Sequence, residues 1–187
     1  TASWLNNTVG FGITEYYDSG RVDYIVSGGK GNTQERWMAR LNGDDGSIVW
    51  DKTYNSSGNS YEFDGIRMTM IGSDNYIYAS GFIGGDEPGT IFIVYAGQAV
   101  VMKVDPSDGS EIWTNVNPSS EYSIALVESS SGYLYSAGTA WEEDLSITKL
   151  NKSGNLLWTN DILNTSDVIP ADLSISNDDI IYFGGHT

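Results

Sequence analysis

The sequence has no cysteine, one histidine, four prolines and few basic residues. Without cysteine, a disulfide, a thiolate nucleophile and a thiolate-ligated metal are excluded. Nine lysines and arginines stand against 25 aspartates and glutamates, which gives a formal net charge of −16. A surface of that sign repels phosphate backbones and argues against a nucleic-acid partner. No apolar run approaches the roughly 18 residues of a membrane-spanning helix, so we expect no membrane span.

The residues that are abundant indicate an all-β protein. Hydrophobic residues make up 40% of the chain and aromatic residues 12%, which is enough for a folded core. They come in short bursts separated by glycine, asparagine, aspartate and serine, and the chain has 22 glycines. Short apolar runs between such residues are typical of strands joined by tight turns.

One phrase occurs three times and ends each time in tryptophan. Its copies are ARLNGDDGSIVW at 39–50, KVDPSDGSEIW at 103–113 and TKLNKSGNLLW at 148–158. Each has a basic residue, an aliphatic residue, an asparagine or aspartate, a turn with glycine, and then the tryptophan. This order predicts a strand, a hairpin turn and a second strand.

A second phrase supplies two more strands per repeat. It closes on small residues at 22–29, 74–82, 131–139 and 178–187, and an alternating segment precedes each copy, most loosely the first. A short polar turn joins the two segments. The repeat unit is therefore four antiparallel strands.

Four antiparallel strands per repeat predict a β-propeller, an all-β fold of four-stranded blades. We place three complete blades at about 10–54, 61–117 and 121–163, with partial blades at 1–9 and 168–187. We expect Trp4 to lie in the last strand of the partial blade that precedes the first complete blade. The 63 residues from Trp50 to Trp113 exceed the 45 from Trp113 to Trp158 because of an insertion near 84–97. We expect one domain that is a segment of a larger ring of six to eight blades, since open blade edges need covering. The alternative is a four-bladed ring, which would lack only one strand.

The turn and tryptophan phrase resembles the tryptophan-docking repeat of quinoprotein alcohol dehydrogenase-like (PQQ-like) β-propellers. The resemblance implies that the tryptophans pack between adjacent blades and that the glycines supply the turns. The structural positions are Trp4, Trp50, Trp113, Trp158, Gly46, Gly109 and Gly154. The adjacent cysteine pair that stacks on the quinone in those enzymes is missing, so the resemblance does not extend to quinone-dependent catalysis. We expect a non-catalytic member or a fragment, and no quinone cofactor.

Acidic turns are the only metal candidates in the sequence. Asp105 and Asp108, Asp44 and Asp45, and the 177–179 run offer oxygen ligands of the kind that calcium prefers. None has a full calcium-loop spacing, and aspartate also favours turns because its side chain bonds the local backbone. Bonding to the local backbone is therefore the stronger interpretation of these acidic turns.

Three further features bear on binding. The insertion at 84–97 is a candidate surface for a protein or carbohydrate partner, with a plain extended hairpin as the alternative. The 141–144 run joins a tryptophan to three acidic residues, as in carbohydrate sites or in a solvated loop. His186 has no nucleophile or second histidine in its sequence context, so we expect it to be an ordinary residue.

Four asparagines lie in the N-glycosylation pattern. They are Asn6, Asn55, Asn151 and Asn164. Chance matches are expected in a chain this rich in asparagine, serine and threonine, and the sites matter only in a protein secreted by a eukaryote.

The sequence therefore favours a non-enzymatic propeller module outside the cell or at its surface, acting as a scaffold, an adhesion module or a filament or matrix component. The alternative is part of a quinoprotein-like or polysaccharide-acting enzyme whose active residues lie outside this chain. An intracellular assembly platform is a third hypothesis, since a chain without cysteine also suits the cytosol.

Overall fold

The computed structural model describes residues 8–30, 35–54, 63–85, 97–139, 145–163 and 169–186. The strands in these ranges are β1 (Thr8–Asp18), β2 (Arg21–Lys30), β3 (Glu35–Leu41), β4 (Ile48–Thr53), β5 (Phe63–Ile71), β6 (Ile77–Gly85), β7 (Gln98–Val104), β8 (Glu111–Asn117), β9 (Tyr122–Glu128), β10 (Leu134–Thr139), β11 (Leu145–Leu150), β12 (Leu156–Leu163), β13 (Ile169–Ile175) and β14 (Ile181–His186). In these ranges no helix is long and apolar enough to cross a membrane.

Consecutive strands pair into separate antiparallel sheets. Sheet I is β1-β2-β3-β4, sheet II is β5-β6-β7-β8, sheet III is β9 to β12 in the same order, and sheet IV is the pair β13-β14. Every pairing is antiparallel between neighbours in the chain. The prediction of an all-β fold built from four-stranded antiparallel units is confirmed for sheets I to III.

A tight turn joins the first two strands of every sheet, and it contains at least one residue with a left-handed backbone. The φ angles are 88° at Gly20, 64° at Asn75, 79° at Gly132 and 59° at Asp179. Glycine adopts this conformation without a Cβ clash, and asparagine and aspartate tolerate it better than other residues do. The short polar turns of the second sequence phrase follow from this requirement.

A close backbone approach explains the glycines at the end of the second strand in sheets I to III. The first strand of sheets I to III is irregular in register beside Gly28, Gly81 and Gly138. A Cβ on these glycines would lie 1.8, 2.0 and 1.7 Å from a carbonyl oxygen of that strand. Because the obstacle is backbone, the sites exclude every side chain.

The sheets pack face to face in chain order. Strand β5 lies against β1, β2 and β3, strand β9 against β5, β6 and β7, and strand β13 against β9 and β10. The core is divided accordingly into buried clusters between neighbouring sheets, with one between sheets I and II, one between sheets III and IV, and two between sheets II and III. Ile25 and Met102 in the first cluster and Leu126 and Leu150 in the second have at most 1% of their surface exposed. Each sheet is therefore held mainly by its neighbours along the chain.

Candidate functional site

Sheet I docks on the last turn of sheet II through Trp50. The indole Nε1–H of Trp50 donates to the carbonyl oxygen of Pro106 at 2.9 Å, and the Tyr54 hydroxyl donates to the Gly109 carbonyl at 3.0 Å. Gly109 has a φ of 75°. A Cβ there would lie 2.8 Å from Cε3 of Trp50, so the ring rests directly on the glycine backbone. Glycine thus provides both the turn and the space for the indole.

Sheet II repeats this contact on sheet III. The Nε1–H of Trp113 donates to the Lys152 carbonyl at 3.1 Å, and the Asn115 side chain donates to the Gly154 carbonyl at 3.1 Å. Gly154 has a φ of 82°. A Cβ on Gly154 would lie 2.7 Å from Cδ2 of Trp113. The structure therefore places Trp113 and Gly154 in the same relation as Trp50 and Gly109.

Trp158 and Gly46, the remaining described tryptophan and turn glycine of the repeat, do not make this contact within the described residues. Trp158 is 37% exposed and lies tilted against Tyr135, with ring centroids 6.0 Å apart and an interplanar angle of 59°. Gly46 has a φ of 71°, and no heavy atom lies within 4 Å of the position of its Cβ. Here one tryptophan has no turn against it, and one turn has no ring against it.

The basic residue of the repeat lies over aromatic rings. Lys103 Nζ is 4.1 Å from the ring centroid of Tyr76 and 5.2 Å from that of Tyr78. Lys149 repeats this over Tyr133 and Tyr135 at 3.9 and 5.3 Å. Such cation–π contacts explain why lysine recurs at this place in the third strand.

In sheet I the equivalent cation is Arg40, which has 4% of its side chain exposed. It lies over Tyr16 at 4.6 Å, pairs with Asp23 and Asp18 at 2.6 Å each, and donates to the Pro106 carbonyl at 3.0 Å. Hydrogen bonds from Arg21 and Arg40 outweigh burial and lower the pKa of Asp23 to about 2. Arg40 thus connects the carboxylates of sheet I to the turn of sheet II.

Sheets II and III share a second charge network, centred on Lys152. Its Nζ lies 2.6 Å from Glu128 Oε1 and 2.7 Å from Ser73 Oγ, and 3.6 Å from Asp74. Glu128 also accepts the Ser73 N–H at 2.9 Å. Burial acts to raise the pKa of Glu128, but the bonds from Lys152 and Ser73 outweigh it and hold that pKa below its ordinary value. The network joins the turns of two sheets at one face.

A cavity of about 430 Å³ opens on that face, between the first turns of three sheets. Its lining is Met70, Ile71, Ser73, Glu128, Ser129, Ser130, Ile175, Ser176 and Asn177. Asp179 fixes the third turn against the second, because its carboxylate accepts the Ser130 N–H at 2.7 Å and the Ser130 hydroxyl at 3.0 Å. Hydroxyl, amide and carboxylate groups therefore face a space that connects sheets II, III and IV.

The acidic turns proposed as calcium ligands make local hydrogen bonds. Asp105 Oδ1 accepts the N–H and hydroxyl of Ser107 at 2.8 and 2.6 Å, and Asp108 Oδ1 accepts the Ser110 N–H at 2.8 Å. Asp45 binds Ser47 in the same way. Among the described ranges no three acidic or histidine side chains form a group that could hold a metal ion. These hydrogen bonds are the ones expected of aspartates that shape a turn by bonding the local backbone.

Several candidate residues lie outside the described ranges. They are Trp4, Asn6, Asn55, Asn164, residues 86–96 of the insertion and residues 141–144. Asn151 is described, and its side-chain oxygen accepts the backbone N–H groups of Ser153 and Asn155 at 3.0 Å each, so it shapes the turn on which Trp113 rests. His186 closes strand β14.

Sequence reasoning found the tryptophans, their glycines and the basic residue, but it missed the cavity and the charge networks. The signal for the lysine contact was present as the Tyr-x-Tyr pairs at 76–78 and 133–135. Alternate residues of a strand share one face, so these rings had to lie together. Glu128 and Ser73 carried no such signal, because they meet only when two sheets pack.

Comparison with solved structures finds a similarity of fold. No family model and no curated protein matches the sequence. The structure is similar to the crystal structure of a protein of unknown function from Bacteroides caccae, with 9% sequence identity and a TM-score of 0.54. The similarity covers 93% of this chain and 52% of that chain, so this chain spans about half the length of the protein it resembles. At this identity the likeness concerns the fold alone.

Proposed function

We propose that the chain forms consecutive blades of a β-propeller and acts as a non-enzymatic scaffold or adhesion module outside the cell or at its surface. Two observations support the propeller: each sheet packs on the next in chain order, and the tryptophan contact recurs from sheet I to II and from II to III. The net charge of −16 suits a protein that stays soluble in isolation.

The cavity between the first turns carries the binding part of this proposal. The Lys152 network and the Asp179 contacts connect the three turns that surround it. Its serine and asparagine groups both donate and accept hydrogen bonds. An uncharged or basic partner fits this lining, either a polysaccharide hydroxyl array or a protein loop, while an acidic one meets Glu128 and the negative surface.

The proposal is tested by binding of the purified chain to a panel of immobilised polysaccharides and matrix proteins. Asn177 is exposed at the cavity, so Asn177→Arg fills the space with a long side chain and is expected to abolish retention on the recognised member of the panel. Asn155→Arg is the matched control, because Asn155 is an exposed turn asparagine outside the cavity lining, and it is expected to bind like the parent chain.

A second arm tests the insertion. Binding lost on deletion of residues 84–97, but retained in Asn177→Arg, would move the partner site from the cavity to the insertion. Turnover of a glycoside, or of an alcohol in the presence of quinone and calcium, would refute the non-enzymatic proposal.

A further inference from the structure

Methionine is the only sulfur-containing residue of this chain, which has four methionines and no cysteine. Met38 and Met102 have 0% and 1% of their surface exposed and lie in the buried cluster between sheets I and II. Met68 and Met70 lie in strand β5 and are only partly buried. Because an oxidant in solution must reach the sulfur, the two methionines of β5 are the candidates for oxidation.

The sulfur of Met68 is engaged within the fold. Its Sδ accepts the backbone N–H of Leu126, in strand β9, at 3.3 Å. The side chain also packs against the buried clusters between sheets II and III and between sheets III and IV. A sulfur lone pair that accepts a hydrogen bond is less available to attack an oxidant, so we expect Met68 to react slowly.

Met70 lies in a different environment, because it lines the cavity between the first turns of sheets II, III and IV. Among the described residues its sulfur accepts no hydrogen bond, in contrast to that of Met68. The cavity of about 430 Å³ admits a small peroxide, since one water molecule takes up only about 30 Å³ of the liquid. Met70 is therefore the methionine that a peroxide in solution reaches most easily.

The same side chain helps to hold two sheets together. Met70 packs against the buried cluster between sheets II and III, in which Tyr78 of sheet II meets Leu126 and Leu150 of sheet III. A sulfoxide is polar, and it disrupts the packing that the apolar thioether makes. An oxygen added to Met70 would therefore weaken the contact between sheets II and III and make the wall of the cavity more polar.

We propose that Met70 is a modification site at which hydroperoxides oxidise the thioether to the sulfoxide, and that this oxidation loosens the contact between sheets II and III. A lone pair of the sulfur attacks one oxygen of the peroxide, and the S–O bond forms as the O–O bond breaks. With hydrogen peroxide, the departing oxygen takes the proton of the transferred one and leaves as water. The sulfur is oxidised and the peroxide reduced, so no other reactant is required. The inference concerns the sulfur and stands apart from the proposed function.

The test treats the purified chain with increasing amounts of hydrogen peroxide and follows the addition of one oxygen atom to each methionine by peptide mass spectrometry. We expect Met70 to react about tenfold faster or more than Met38 and Met102, and faster than Met68. The thermal midpoint of the chain oxidised at Met70 is expected to fall by several degrees. Methionine sulfoxide reductase should restore the midpoint, because it reverses this modification.

Met70→Leu removes the sulfur and keeps an apolar side chain of similar volume, so the same dose of peroxide should leave its midpoint unchanged. Met68→Leu is the matched control, and peroxide should lower its midpoint as much as that of the parent chain. Reaction of Met70 no faster than that of Met38, faster reaction of Met68, or an equal fall of the midpoint in Met70→Leu would each overturn the proposal. Oxidation of Met70 without a change in midpoint would refute the loosening of the two sheets. These measurements use no binding partner, so their outcome is separate from that of the test of the proposed function.

Discussion

Carboxylates in this protein act mainly on the structure around them. Those in the last turns bond serine and backbone N–H groups. Asp23 binds Arg40, which reaches the turn of the following sheet, and Glu128 binds Lys152, which reaches the first turn of the preceding sheet.

The repeat in the sequence located the cations of the third strand. It did not locate their acidic partners, which are Asp23 for Arg40 and Asp74, 2.8 Å from the Nζ of Lys103. Asp23 lies in a second strand and Asp74 in a turn, so the partners do not follow the repeat.

At Asp23 we expect a pH-dependent loss of stability. Asp23→Asn leaves the buried Arg40 with a weaker partner and should cost about 3 kcal/mol of unfolding free energy at pH 7. The folded pKa of Asp23 is about 2, below the unfolded value near 3.9. Its stabilisation is therefore present above pH ~4 and lost as the pH falls towards 2. Urea unfolding of both proteins between pH 7 and 2.5 should show the difference shrinking over that window.

Asp44→Asn is the control, because Asp44 is an exposed carboxylate of the neighbouring turn. It should change stability by less than about 0.5 kcal/mol at every pH. If the difference in unfolding free energy between the parent chain and Asp23→Asn stayed constant down to pH 2.5, that result would contradict the assignment of the low pKa to the ion pair.

At the scale of strands and turns, the sequence revealed the hairpins because their parts lie close together in the chain. The tryptophan, the glycine and the polar turn lie within about a dozen residues, so a single phrase records them. The bulges beside Gly28, Gly81 and Gly138 were not predicted, since the close approach of a carbonyl depends on the register between two strands. Register follows from packing on the neighbouring sheet, which no local phrase contains.

The contact between Trp50 and the turn at Gly109 can be tested by comparison with the equivalent turn at Gly46, which has no described ring against it. Gly109 and Gly46 have φ of 75° and 71°, but only Gly109 lies under a described ring. Gly46→Ala should lower the free energy of unfolding by about 1 kcal/mol, because alanine disfavours a left-handed backbone. Gly109→Ala meets that cost and also displaces Trp50, so we expect about 3 kcal/mol. Chemical denaturation of the two variants measures the difference, and equal losses would show that the Trp50 contact is not tight.

For the molecule as a whole, repulsion among like charges should dominate the response to salt. The formal charge is −16, and the ion pairs at Asp23 and Glu128 are largely buried, hence weakly screened. We therefore expect the thermal midpoint at pH 7 to rise by several degrees from 0.02 to 0.5 M sodium chloride, measured by scanning calorimetry. Asp44→Lys combined with Asp161→Lys should flatten this rise, because both residues are exposed. A midpoint that fell with salt would mean that exposed ion pairs outweigh repulsion.

The tryptophan contacts also bear on the order in which the sheets are covered during synthesis. Trp50 finds its carbonyl partner 56 residues further along the chain, and Trp113 finds its own 39 residues further. During synthesis each sheet therefore emerges with its indole still exposed, and that ring is covered only once the hairpin of the next sheet has been made. The contact between sheets I and II can therefore form before the contact between sheets II and III. A pause in translation between the two would leave Trp113 exposed after Trp50 has been covered.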